Sequence, residues 1–183
     1  MRKILIVGTL LLASAALKAQ TIFNTGSGKV SFFSEAPLEN IDAVSNNATC
    51  VLDAAKGEVA SMIAIKSFHF EKSLMEEHFN EKYLESDKFP SAIFKGKISE
   101  KLITDADTTY VVTVKGALTL HGVEQPQEYK ATYTIKGGNP SLEGTFNIAL
   151  KDHKIEIPKL VMQNIAEVVM VTCKFDMKPY VKK

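Results

Sequence analysis

The stretch from Val111 to Ile135 constrains the fold more than any other part of the chain. It reads V-V-T-V-K-G-A-L-T-L-H-G-V-E-Q-P-Q-E-Y-K-A-T-Y-T-I. Val112, Val114, Gly116, Leu118 and Leu120 share one phase, with mainly polar residues in the other. Side chains alternate faces along a strand, so this run predicts one apolar and one wet face. After a break at Gly122 to Gln127, Tyr129, Ala131, Tyr133 and Ile135 resume the pattern. Two such runs around a Gly- and Pro-containing link predict a long antiparallel hairpin.

The rest of the chain repeats this design. A short strand, a Gly26-Ser27-Gly28 turn and a strand carrying Val30 and Phe32 are expected first. Glu35 to Ile41 reads as a loop or a single helical turn. Ala48, Cys50 and Leu52, then Val59, Ser61, Ile63 and Ile65, mark the inward faces of the next two strands. Ala92, Phe94, Gly96 and Ile98 mark another. After the central hairpin and a turn at Gly137 to Ser141 come Leu142, Gly144, Phe146, Ile148 and Leu150, and finally Val169, Val171, Cys173 and Phe175. Ser73 to Leu84 breaks the alternation. Ser73-Leu74-Met75-Glu76 matches a capping box, so one or two short helices are expected there, ended by Phe89-Pro90.

About eight one-sided strands predict an all-β domain, either an antiparallel barrel or a sandwich. Gly96, Gly116 and Gly144 all fall in the inward phase of strand interiors. They mark bends, or they leave room inside. The inward aromatic and aliphatic side chains either fill a closed core or line a ligand cavity.

The ends and the charge set further bounds. Arg2 and Lys3, an apolar run from Ile4 to Leu12 and small residues up to Ala19 predict a signal peptide over residues 1–19. That leaves 20–183 as one exported domain, periplasmic or secreted. The apolar run is short for a membrane span. Lys and Arg total 22 against 21 Asp and Glu, and no basic stripe with interleaved aromatics points to nucleic acid. The two cysteines, Cys50 and Cys173, are read as small core residues, with a disulfide as the alternative in an exported protein.

Catalytic patterns are weak. His69, His78, His121 and His153 lack the HExxH spacing of a zinc enzyme. No G-x-S-x-G elbow or phosphate-cradling glycine loop is present. No catalytic residue, metal or cofactor is therefore assigned. An enzyme using His78, Glu77 and His121 remains the alternative, with a ligand-free structural barrel as a third reading.

Certain motifs resemble the YceI-like family. Lys115-Gly116-Ala117-Leu118-Thr119-Leu120-His121-Gly122 is similar to its Gly-x-Leu-Thr-x-His-Gly strand end. Glu77-His78-Phe79, Phe89 to Phe94 and Phe146 to Leu150 are similar to further family segments. The sequence departs from the family at Met75-Glu76, where many members carry Arg-Asp, and at Asp152-His153-Lys154. The resemblance implies an extended, eight-stranded, lipocalin-like barrel binding a polyisoprenoid or similar long-chain lipid. On that reading Phe32, Ile63, Phe94, Gly116, Leu118, Tyr133, Gly144, Phe146 and Phe175 line an apolar channel. Lys72, His78 and His121 stand at its mouth. Such a carrier is compatible with transient membrane contact and with homodimer formation.

Overall fold

The computed structural model describes residues 21–158 and 164–181. The expected signal peptide and its cleavage site lie outside the described residues. In chain order the strands are β1 (Ile22–Glu35), β2 (Asn40–Asp53), β3 (Glu58–Ala64), β4 (His69–Phe70), β5 (Ser91–Ile98), β6 (Thr108–Leu120), β7 (Val123–Lys136), β8 (Asn139–Ala149), β9 (Val168–Asp176) and β10 (Lys178–Pro179). Each neighbouring pair is antiparallel. β1 pairs with β2 on one side and with β9 on the other, so β1, β2, β3, β5, β6, β7, β8 and β9 close on themselves. This is an eight-stranded antiparallel barrel rather than a sandwich. β4 and β10 are short additions on β2 and β1.

The alternation read from sequence is the alternation observed. Val112, Val114, Leu118 and Leu120 are buried on β6, and Ala131, Tyr133 and Ile135 on β7. The connection between them is shorter than expected. Leu120 pairs directly with Val123, and His121 and Gly122 alone make the turn, both at positive φ. That is a type I′ geometry, whose twist matches the flanking strands. Pro126 therefore lies inside β7, opposite Ala117. It is tolerated because β8 pairs with β7 only from Ala131 to Lys136. Along Val123–Lys130 the side of β7 away from β6 has no ladder to lose. Side chains bridge the split instead: Gln125 Nε2 donates to Asp152 O and Gln127 Nε2 to Asn147 O.

Two more turns differ from expectation for the same kind of reason. Gly26-Ser27-Gly28 is no turn. It is an irregularity within a continuous 14-residue β1, where the register to β2 shifts between Thr25 and Gly28 and again before Val30. A bulge bends a strand sharply, which suits closure of a barrel. The Gly137–Ser141 turn contracts to Gly137-Gly138, with Asn139 already paired to Lys136.

Between β4 and β5 the chain forms α1 (Ser73–His78), continued by a π turn over Phe79–Tyr83. The capping box does not form. Lys72, in an extended conformation, is the N-cap, and it offers no side-chain bond. The Glu76 carboxylate instead accepts the Phe70 N–H at 3.2 Å. Leu74 is exposed, whereas Met75, His78 and Phe79 face the interior.

Candidate functional site

The barrel interior has two unlike halves. One is solid. Val112, Val114, Tyr133, Ile135, Leu142 and Met177 are almost completely buried there, and Leu102 closes the end. The Tyr133 hydroxyl donates to Ile103 O at 2.9 Å, which ties the 99–107 loop across the barrel. The other half holds a cavity of about 380 Å³, covered by α1 and the π turn. That lies within the usual range for small-molecule sites.

A layer of rings separates the halves, and it explains the inward glycines. A Cβ on Gly96 or on Gly116 would stand 2.7 Å from Phe94 Cζ, so one ring lies across this directly paired glycine couple. On Gly144 it would stand 2.7 Å from Tyr129 Cε2, and on Gly28 2.8 Å from Phe175 Cε1. Glycines in a strand permit such close approach, and the rings shield the bare backbone. Tyr129 stacks on Phe146 with centroids 4.7 Å apart and meets Phe94 edge-on at 6.0 Å. The glycines thus make room for aromatic side chains, not for a ligand.

Of the side chains expected to line a channel, Phe32, Ile63, Phe94, Leu118, Phe146 and Phe175 do line the cavity. Gly116 and Gly144 do not, because rings cover them. Tyr133 does not either: it belongs to the solid half. Above the rings, Val169, Val171, Leu120 and Ile148 continue the apolar wall. Phe32, Phe68, Phe70 and Phe79 then cluster with centroids 5.0–5.7 Å apart, fixing the helical segment to the wall.

Besides Ser34, Ser61 and Tyr129 on barrel strands, polar groups enter from the segments between strands. Glu39 and His78 line the cavity, with Tyr83 and Asn164. Lys72 stays outside, and its Nζ lies 2.6 Å from Glu39 Oε1. That bond holds the Glu39 carboxyl below its ordinary range and the Lys72 ammonium above its own. Glu39 was read only as part of a loop; no spacing in the sequence ties it to Lys72. His78 has no hydrogen-bond partner among the described residues.

His121 is not at the mouth. Its Nδ1 lies 3.1 Å from His153 O and its Nε2 2.9 Å from Glu85 Oε2, with Phe89 packed edge-on against the ring at 4.5 Å. Nδ1 thus ties the β6–β7 turn to the Leu150–His153 turn, and Nε2 ties it to the segment that follows the π turn. His78 and His121 therefore sit in separate environments. Among the described residues no group of three His, Cys, Asp or Glu side chains could hold a metal ion.

Cys50 and Cys173 are free and buried, and Cys173 lines the cavity beside Tyr129. Burial pushes the Cys50 thiol up to about 12 and the Cys173 thiol up to about 11. It also raises the Tyr129 hydroxyl well above its ordinary value. A thiol is nucleophilic as the thiolate, so both are inert at neutral pH.

A YceI-like domain model matches residues 14–177. This chain belongs to the YceI-like family. The YceI-like fold recurs in solved structures of low sequence identity. One is a polyisoprenoid binding domain from Saccharophagus degradans implicated in plant cell wall breakdown: 13% identity, TM-score 0.76, covering 88% of this chain and 99% of that one. Another is Burkholderia cenocepacia BcnA, with 17% identity, TM-score 0.68, and 81% and 94% coverage. A third is a Campylobacter jejuni YceI protein, with 15% identity, TM-score 0.58, and 81% and 90% coverage. No curated protein matches the chain.

Proposed function

We propose that this YceI-like protein is an exported carrier that holds the tail of a long-chain, polyisoprenoid-like amphiphile in the half-barrel cavity. The observation that carries this reading is the cavity itself. It has about 380 Å³ of space with an overwhelmingly apolar lining, and its charged or ionisable Glu39 and His78 lie outside the barrel strands, on the loop before β2 and on α1. An apolar tail gains roughly 25 cal/mol for each Å² removed from water, while an unpaired polar group in the same place would be penalised. Glu39, His78, Tyr83 and Asn164 suit a polar head. The polyisoprenoid-binding description of the Saccharophagus degradans domain supports the choice of ligand class. The basic, apolar and small-residue start of the sequence supports export.

Loading from a bilayer fits the surface beside the mouth. Leu38, 67% exposed, directly precedes Glu39 of the Glu39–Lys72 ion pair, and Leu74, 59% exposed, follows Lys72 by two residues. Native mass spectrometry of protein purified gently from its own host tests the reading. A co-purifying lipid, lost on delipidation and regained from extract, is the expected result. A protein that carries no lipid and takes none up refutes it.

A further inference from the structure

The sharp boundary between the hollow and solid halves bears on how much of a ligand the barrel admits. We propose that Phe94, Tyr129, Phe146 and Phe175 form a length stop, so that the site buries about 12–15 carbons of a single tail and leaves any longer tail outside. The inference rests on the lipid-carrier reading and deepens it.

Three observations carry it. Rings stand on both sides of the barrel: Phe94 meets Tyr129, Tyr129 stacks on Phe146, and Phe175 covers Gly28 on β1. The layer is also braced from behind. Each ring except Phe146 rests on a glycine with no space for even a Cβ, and beyond it Val112, Val114 and Leu142 are fully packed. A tail pressing on the rings therefore has nowhere to push them. The third observation is the depth. β9 contributes Phe175, Cys173, Val171 and Val169 to the wall. Six residues at about 3.3 Å each run about 20 Å along the strand, or about 15 Å along a barrel axis to which strands tilt by about 40°. A staggered hydrocarbon chain of about 1.5 Å bonds advances about 1.25 Å per carbon, which gives about 12 carbons. A branched prenyl chain advances less per carbon, which sets the upper figure at about 15.

A homologous series tests this on the delipidated full-length protein. Linear alcohols from C8 to C20, with farnesol and geranylgeraniol as the branched pair, are titrated calorimetrically. Affinity should rise about fourfold per methylene up to C12–C15 and then level off. A rise that continues unbroken to C20 overturns the length stop while leaving the carrier reading intact. Failure of every alcohol and prenol to bind overturns the carrier reading itself. Phe146→Ala removes the one ring not seated on a glycine, and should move the break several carbons longer. Phe146→Leu makes a smaller shift if the first variant folds poorly. Leu120→Ala, well above the rings, should weaken all ligands without moving the break. A break that stays fixed in both Phe146 variants removes the rings as its cause.

Discussion

Gly116→Ala adds one methyl group at the centre of β6, and the structure specifies what that methyl meets. Its Cβ would contact Lys95 O, and would stand 2.6 Å from Gly96 Cα and 2.7 Å from Phe94 Cζ. Two of these three atoms are backbone in the paired strand, so a side-chain swing cannot relieve the overlap. Overpacking of this kind costs about 1–3 kcal/mol. Against it stands the gain from replacing Gly in a strand, about 0.5–1 kcal/mol. The net expectation is about 1–2 kcal/mol of destabilisation. In a domain of this size that lowers Tm by about 3–8 °C. Gly26→Ala is the matched control. Gly26 is also in a strand, but its Cβ meets nothing within 4 Å, so this variant should be neutral or slightly more stable. Gly144→Ala should fall between, because the atoms nearest its Cβ belong to side chains, chiefly the Tyr129 ring. Urea unfolding followed by circular dichroism, with thermal melts alongside, gives the ranking. Gly116→Ala as stable as Gly26→Ala would refute the close packing of ring and backbone, and with it the brace behind the cavity floor.

Other expectations follow from single contacts. The two thiols should resist maleimide in the native protein and react fully once unfolded, without reductant; labelling that needs reductant would show a disulfide. Ser73→Ala should change stability by less than about 0.5 kcal/mol, because Ser73 makes no cap bond, whereas Glu76→Ala leaves the Phe70 N–H without its acceptor and should cost about 1 kcal/mol or more by urea titration. Glu39 has its pKa lowered on folding, so its contribution is present above the ordinary carboxylate range and is lost as pH falls through the lowered value. The stability difference between wild type and Glu39→Gln, measured by denaturant titration across acidic pH, should shrink in that direction.

Much of this barrel is legible as period-2 alternation, because a strand with one buried face has no other register available. Val59 to Ile65, Ala92 to Ile98 and Val169 to Phe175 fall on the face the pattern assigns them. What the pattern misses depends on neighbours distant in sequence. Pro126 reads as a break unless it is known that β8 leaves that part of β7 unpaired. Ser73-x-x-Glu76 reads as a cap unless β4 brings the Phe70 N–H to the carboxylate first. Gly116 and Gly144 read as room for a ligand, although they are room for Phe94 and Tyr129, each on the neighbouring strand two positions from the glycine's paired residue. The six lining side chains found in advance are those whose phase alone decides their environment. Glu39 escaped because its partner, Lys72, stands 33 residues away.

Closure of the barrel also has a consequence in time. β1 opens the described chain and β9 ends near its C-terminus, yet Lys29 to Phe33 find one of their two neighbours in Met170 to Lys174. Until β9 is made, β1 and β8 each keep a bare edge, and bare edges recruit other strands. The ring layer is likewise unfinished, since Phe175 comes from β9. A nascent chain that has not yet reached β9 thus holds seven of the eight barrel strands and an open interior. Contacts of such long sequence separation form slowly, and a chain waiting for them is exposed to aggregation. This architecture places a premium on escort of the newly made polypeptide, and it makes loss of β9 far more damaging than its share of the cavity wall alone would suggest.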